Sequence, residues 1–251
     1  MLIQRVSGTW SGVSGGIDSR VLLQVLLDAG LDNLVICHLD HRLRGKESDT
    51  ENIFIRRLAG RLKLPIFEEH IERWPPKLSI ETAARQARHR FFARAAKTLK
   101  AQHVFLGHHA DDQIETFLLN ILRGTGSIGH AAMHNETRMV VDESEPIFVR
   151  PLLHAWKVDI RVFAKKRRLK SCEDSSNVEN KFTRNRIRNL LVPEIERILG
   201  RPFKSNLLRL SKIAAEESEL LRQLTPSWWE QNELSVRDLK GLPLALQRRV
   251  I

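Results

Sequence analysis

Ser14-Gly15-Gly16-Ile17-Asp18-Ser19 lies between a β-leaning run, Val6 to Val13, and an apolar helical run, Val21 to Leu27. A short glycine-rich turn that opens directly into a helix is built to cradle phosphate. Glycines let the backbone come close, and the free amides of the first helical turn point at the anion. Ser14 and Ser19 add hydroxyl donors. Asp18 is the unusual member, because a carboxylate beside phosphate repels it unless a cation lies between them. That combination points to a pyrophosphate carried with Mg2+, as in ATP, with Asp18 on the metal side. The loop lacks the Lys of a Walker A element and is not the G-x-G-x-x-G dinucleotide turn.

Outward from this loop, short apolar runs alternate with longer helical patterns. Asn33 to Leu39, Pro65 to Ile71 and His103 to Leu106 read as further strands. Ser19 to Asp28, Ser48 to Leu62, Ile80 to Leu99 and Asp111 to Leu122 read as helices. In the second of these Ile53, Phe54, Leu58 and Leu62 make the predicted buried face, and in the last Ile114, Phe117, Leu118 and Ile121. The alternation predicts an α/β fold: a Rossmann-like parallel sheet with helices on both faces. Ligands of such sheets bind beyond the carboxyl ends of the strands. Three polar clusters fall at those ends: the opening loop, the turn His38 to Arg44, and Gly107-His108-His109-Ala110-Asp111-Asp112.

Residues 124–145 read as a polar loop, and Phe148 to Leu153 as an apolar segment. A mainly helical region follows, with helices over His154 to Arg168, over Thr183 to Leu199 with a break at Pro193, and over Phe203 to Leu224. In the last, Leu207, Leu210, Ile213, Leu220 and Leu224 are available for packing. The expected organisation is a catalytic domain over 1–200, a linker helix over 203–224, and the start of a C-terminal helical domain over 225–251, cut short inside an apparent helix.

The 251 residues carry a net charge of +11, which suits a polyanionic partner such as RNA. Two cysteines, Cys37 and Cys172, are too few and too far apart for a zinc motif or a disulfide framework. No signal peptide or membrane-length apolar run is visible, so a cytoplasmic protein with no membrane partner is expected.

The candidate chemistry lies in three groups. His108, Asp112 and Glu115 are spaced i, i+4, i+7 and would share one helix face. Capping alone would use one Asp there. A transition-metal centre would need a further His or Cys cluster to complete it. Glu81, Arg85 and Arg88 repeat the same spacing on the Ala- and Arg-rich helix, where an Arg facing the loop could clamp phosphate. Asn177, Arg184, Asn185 and Arg188 place two arginines one turn apart on a basic helix, suited to phosphate contacts.

The opening loop resembles the pyrophosphate loop of the N-type ATP pyrophosphatases, the PP-loop superfamily. Four further segments resemble the tRNA(Ile)-lysidine synthetases: Gly107 to Gly126; Glu81 to Arg88; Arg150-Pro151-Leu152-Leu153; and Glu173-Asp174-Ser175-Ser176-Asn177 followed by Arg184-Asn185-Arg186-Ile187-Arg188. The resemblance implies an ATP-dependent ligase. It would adenylate O2 of the wobble cytidine in a CAU-anticodon tRNA(Ile) and then join the ε-amine of free L-lysine to C2. Asp18 would lie near Mg2+, and Arg88 would stabilise charge at the α-phosphate. Asp112 and Glu115 would hold the lysine ammonium or the metal. His108 would assist at the α-phosphate or as a base, and Asn177 and Arg188 match positions implicated in the family's catalysis. The resemblance leaves the oligomeric state open, a homodimer included. Three departures stand out: the strand before the loop reads Thr9-Trp10-Ser11-Gly12-Val13 where a smooth apolar run is usual, Arg20 follows the loop where a small or apolar residue is common, and Asp40 and Arg42 occupy a His-x-Asn-His-Gly-like turn. A tRNA 2-thiolation enzyme of the same superfamily is the alternative, though such enzymes usually use paired cysteines.

Overall fold

The computed structural model describes residues 9–12, 15–31, 33–42, 45–72, 74–75, 80–140, 145–172, 182–225 and 235–250. Its centre is a six-stranded sheet in the order β3-β2-β1-β4-β6-β5. The strands are β1 (Thr9–Gly12), β2 (Leu34–Asp40), β3 (Ile66–His70), β4 (His103–Phe105), β5 (Glu136–Arg138) and β6 (Ile147–Val149). All neighbours pair in parallel except the edge strand β5, which runs antiparallel to β6. The helices are α1 (Ile17–Asp28), α2 (Lys46–Leu62), α3 (Ile80–Leu99), α4 (Ala110–Leu122), α5 (Ser127–His130) and α6 (Lys157–Lys166). Beyond the sheet come α7 (Thr183–Arg186), α8 (Val192–Leu199), α9 (Lys204–Leu224), α10 (Val236–Gly241) and α11 (Leu244–Val250).

The parallel sheet covered on both faces is therefore present. Successive residues of β2 show why: Ile36 points into one core and Cys37 into the other. The first core joins Val21, Leu22 and Leu26 of α1, Ile55 and Leu58 of α2, and Ile160 and Ala164 of α6. The second joins Phe91, Phe92 and Ala95 of α3 to Val104 of β4 and Phe148 of β6. A run buried on both faces has no polar side to alternate with, hence the unbroken apolar reading of β2.

Several expectations are corrected. The face of α2 is turned: Ile53 is exposed and Ile55 fully buried. Ile121 of α4 is likewise exposed, while Ile114 and Phe117 are buried. The loop of 124–145 contains α5 and the edge strand β5, which its polar composition hides because one edge strand needs no second apolar face. Residues 141–144, and the part of the first strand reading at Val6 to Gly8 and Val13, lie outside the described residues.

Pro193 does not break the basic helix. The chain passes from α7 through a π turn, Ile187–Leu191, into α8, and the Val192 N–H reaches Ile187 O. The wider turn places Pro193 in the first turn of α8, where a missing N–H costs least.

On α9, Leu207 joins a third apolar cluster with Ile187, Val192 and Phe203. Leu210, Ile213, Leu220 and Leu224, however, are exposed. The buried residues are Ser211, Ala214 and Ser218, a small-residue face. Arg249 of α11 donates to Ser218 Oγ at 3.2 Å across it.

Two of the departures, Arg20 and the Asp40–Arg42 turn, have local explanations. Arg20 is buried, and its Nε donates to Lys170 O at 3.2 Å, tying α1 to the chain beyond α6. Arg42 has φ +49°, the left-handed region in which glycine is the usual occupant, and its N–H donates to Asp40 Oδ1 at 2.8 Å. Asp40 also accepts from Asn52 Nδ2 at 2.8 Å. That contact turns Asn52 Oδ1 to His38 Nε2, 2.7 Å away, so the His38 Nε2–H is the donor.

Candidate nucleotide and transfer site

β1 lies between β2 and β4, so the chain leaves it to one side first and returns to the other. That reversal opens a crevice at the carboxyl ends of β1 and β4, the place where doubly wound sheets bind ligands. The loop after β1 and the Gly107–Asp112 segment after β4 meet there. The approach is close: a Cβ on Gly107 would lie 3.2 Å from the Asp18 carbonyl carbon and the Ser19 nitrogen. A Cβ on Gly15, whose φ is +70°, would lie 3.0 Å from Glu51 Cγ. Gly16 caps α1 without a side-chain hydrogen bond, which leaves the first-turn amides for an external acceptor. Ser19 is buried with its Oγ donating to Gly16 O at 2.8 Å, so in this structure it braces the turn. Ser14 lies outside the described residues, as do Glu173 to Ser176 and Asn177.

Asp18 is held by a residue the sequence reading did not single out. Lys157 Nζ lies 2.5 and 2.6 Å from its two carboxylate oxygens. Asp111 fixes the start of α6 beside it, accepting the Lys157 N–H at 2.9 Å, and its other oxygen takes Lys204 Nζ of α9 at 3.0 Å. Burial works against the charge of Asp111, but these two donors hold its carboxyl below the usual carboxylate range. The one signal for Lys157 in the sequence is a lysine opening a helix, which the helix dipole disfavours.

The start of α4 does two jobs at once. His109 is its cap: Asp112 accepts the His109 N–H at 3.0 Å through Oδ2, while His109 Nδ1 accepts from the Asp112 N–H. His109 Nε2 also stands 3.8 Å from Asp18. The other Asp112 oxygen faces Arg184 and Arg188 at 3.5 and 3.3 Å. Glu115, one turn on and buried, takes Arg184 Nε at 2.8 Å and Arg188 Nε at 2.5 Å. Capping and chemistry therefore share Asp112. Burial opposes its charge, but the nearby charge of Arg184 and the hydrogen bond from the His109 N–H outweigh that and keep its carboxyl low. Both carboxylates are charge-balanced by guanidinium in this structure.

Arginines crowd the adjoining wall. Arg88 is exposed to solvent, yet burial of its guanidinium among protein atoms and the nearby charges of Arg184 and Arg85 lower its pKa. Arg150 is lowered by burial and by Arg85; its Nη1 donates to His134 O and Thr137 Oγ1. Like charges held together in this way are relieved by an anion.

His108 stands in the same wall rather than on α4 itself. Burial lowers its pKa most; Asp112 pulls the other way, and Arg184, Arg150 and Arg88 add to the lowering, to about 3. Its Nδ1 is buried without a hydrogen-bond partner. The imidazole is thus neutral and weakly basic, suited to hydrogen bonding more than to proton abstraction. With a folded pKa below the unfolded value, keeping His108 neutral stabilises the fold fully above about pH 6.5, and stability falls as pH drops toward 3, at up to about 1.4 kcal/mol per pH unit. Urea denaturation between pH 7 and 4 is expected to show this slope in the wild type and a shallower one in His108→Gln. Equal slopes would exclude it.

Among the described residues no group of three or more His, Cys, Asp and Glu side chains could hold a metal ion by itself, and no helix is long and apolar enough to cross a membrane. Cys37 is buried in β2, and burial pushes its thiol far up; burial and Glu51 also raise Cys172.

Comparison with known proteins agrees with this geometry. A PP-loop domain family matches residues 6–195. The tRNA(Ile)-lysidine synthase of Geobacter sulfurreducens is 35% identical over 260 aligned positions, which cover 95% of this chain and 52% of that protein. The protein of the same name from Gloeobacter violaceus is 34% identical over 258 positions, 98% of this chain and 75% of its own length. The chain spans about half the length of most such relatives, as with the Geobacter protein. Among solved structures, the U34-tRNA thiolase NcsA from Methanococcus maripaludis superposes with a TM-score of 0.64 over 83% of this chain and 72% of its own, at 15% identity, which marks a shared fold. From the glycine cradle at the β1/β4 crossover to the family match over 6–195 and the relatives aligned along nearly the whole chain, the observations agree: the chain belongs to the PP-loop family and, within it, to the tRNA(Ile)-lysidine synthases.

Proposed function

We propose that this chain carries the catalytic part of a cytoplasmic ligase that uses ATP to join free L-lysine to C2 of the wobble cytidine of a CAU-anticodon tRNA(Ile). The observation that carries the reading is the meeting, at one crevice, of the glycine cradle with Asp18 and the Asp112–Glu115–Arg184–Arg188 cluster. One half suits a pyrophosphate leaving group, and the other suits an amine beside a phosphate. In the first step cytosine O2 attacks the α-phosphorus and pyrophosphate leaves. In the second the lysine ε-amine attacks C2, AMP leaves with the oxygen, and one proton is lost from nitrogen.

The residues fit these demands. The α1 amides face the pyrophosphate, and Gly15 and Gly107 add no side chains of their own to the loop, with the Glu51 side chain lying beside Gly15. Asp18 supplies a carboxylate for Mg2+, which when bound neutralises pyrophosphate charge. Arg88 and Arg188 stabilise charge at the α-phosphate, and neutral His108 hydrogen-bonds beside them. Asp112 and Glu115 position the arginines and attract the lysine ammonium. Asn177 joins this set through the family motif. The charge of +11 favours the tRNA backbone, and an anticodon loop offers unstacked bases. Residues 1–200 serve as the catalytic domain, 203–224 as a linker helix and 225–251 as the start of a C-terminal domain. A homodimer remains compatible with this reading.

Incubation with ATP, labelled lysine and tRNA(Ile) bearing CAU is expected to transfer label to RNA. Sulfur incorporation from a sulfur donor, with none from lysine, would replace this reading by 2-thiolation. The raised, buried Cys37 thiol and the raised Cys172 thiol do not favour that chemistry.

A further inference from the structure

Lys157 stands where electrostatics alone would not put it. It is the first residue of α6, at the positive end of that helix, whose cap Trp156 provides no side-chain hydrogen bond. The starts of α1 and α4 converge on the same point: Asp18 is the second residue of α1, and Asp111, the second residue of α4, accepts the Lys157 N–H at 2.9 Å. Carboxylates suit such places, whereas an ammonium is stabilised there only by an anion. Asp18 is that anion in this structure, with both of its oxygens within 2.6 Å of Nζ.

The ammonium takes one hydrogen-bonding position on each Asp18 oxygen and sets a positive charge beside the carboxylate. A magnesium ion ligated by Asp18 therefore competes with that charge unless Lys157 moves. The lysine is equipped to move: its side chain is 28% exposed and its stem is flexible, while its backbone is pinned by Asp111. Swinging about that fixed point, Nζ stays within reach of the first turn of α1, which carries Asp18 and where a pyrophosphate would lie.

We propose that Lys157 is the resident counter-cation of Asp18, which yields Asp18 to the magnesium ion and turns to the pyrophosphate. This rests on the nucleotide reading above and adds an order to it: metal and pyrophosphate enter together, because each makes room for the other's contact. Metal alone must compete with the ammonium, and pyrophosphate alone must draw the ammonium away from Asp18.

Binding measurements on the whole chain test this without turnover. The probes are Mn2+ alone, pyrophosphate alone and magnesium pyrophosphate, followed by calorimetry and, for Mn2+, by electron paramagnetic resonance. Lys157→Met is expected to bind Mn2+ several-fold more tightly and magnesium pyrophosphate roughly tenfold more weakly, the scale of one lost charge-assisted contact. Asp18→Asn is expected to bind metal-free pyrophosphate more tightly, its lysine being released, and to lose the enhancement by magnesium. A static structural bridge moves both ligands in one direction in Lys157→Met, or leaves pyrophosphate unchanged; either result overturns the exchange. Should Lys157→Met fail to fold, Asp18→Asn decides, and unchanged metal-free pyrophosphate binding overturns the proposal. A wild-type chain that binds no magnesium pyrophosphate overturns the nucleotide reading itself. Wild-type binding with same-direction changes in the variants overturns only the exchange.

Discussion

Glu115→Gln is expected to destabilise the chain by about 2–3 kcal/mol and to lower lysine transfer by about a hundredfold. The Glu115 side chain is 3% exposed, while those of Arg184 and Arg188 are 31% and 35% exposed. Its carboxylate takes Nε of both arginines, at 2.8 and 2.5 Å, and a second Arg188 nitrogen at 3.0 Å. The amide keeps the volume and removes the charge, so two guanidiniums are left facing one another with Asp112 as their remaining acid. Removing one partner of a fully buried pair costs about 3–5 kcal/mol, and access of both arginines to water brings this case to the lower edge of that range or just below it. Urea denaturation measures the stability. A double-mutant cycle with Arg188→Met should be strongly non-additive, because the second change removes the charge stranded by the first. The rate loss follows from the proposed function, since an arginine released from Glu115 would no longer be held at the place proposed for it beside the α-phosphate. Additive effects, or a stability loss below about 0.5 kcal/mol, the range of ordinary surface changes, would mean that the cluster is a solvated one.

The second large effect is expected at Gly107. Its missing side chain is what lets the β4–α4 loop touch the start of α1, and the atoms a Cβ would meet, Asp18 C and Ser19 N at 3.2 Å and Asp18 O at 3.3 Å, are backbone. Backbone at a helix start cannot swing aside as a side chain does. Gly107→Ala should therefore cost about 1 kcal/mol and Gly107→Val about 2–3 kcal/mol by overpacking. Both should weaken magnesium pyrophosphate binding, by roughly tenfold or more for Val, because the displaced element is the one carrying the anion-facing amides. Calorimetry and thermal denaturation read the two effects. Gly60, inside α2 with nothing within 4 Å of its would-be Cβ, is the control. There, Ala should stabilise by about 0.5–1 kcal/mol through its better helix propensity. A Gly107→Val chain that binds pyrophosphate normally would mean that the close approach is not part of the cradle.

The sequence by itself determined those features whose physics is local. A glycine pair before an apolar helix is a statement about neighbouring backbone, so the glycine turn that opens α1 was legible, as was the strand–helix alternation behind it. Asp112 and Glu115 lie one turn apart on α4, and Arg184 and Arg188 one turn apart along the basic helix, so helical spacing alone paired each set. Tertiary structure decided the rest. The order β2-β1-β4, which brings loops far apart in the chain to one crevice, follows from how two cores share a sheet and leaves no periodic trace. Which small residues of α9 face inward, while Leu210 and Leu220 stay exposed, depends on what that helix packs against. The partner of Asp18 lies 139 residues away, on a helix whose opening lysine calls for some anion without saying which. Ion pairs of that span are chosen by the fold, because a charged side chain carries no record in its neighbours of the charge it will meet.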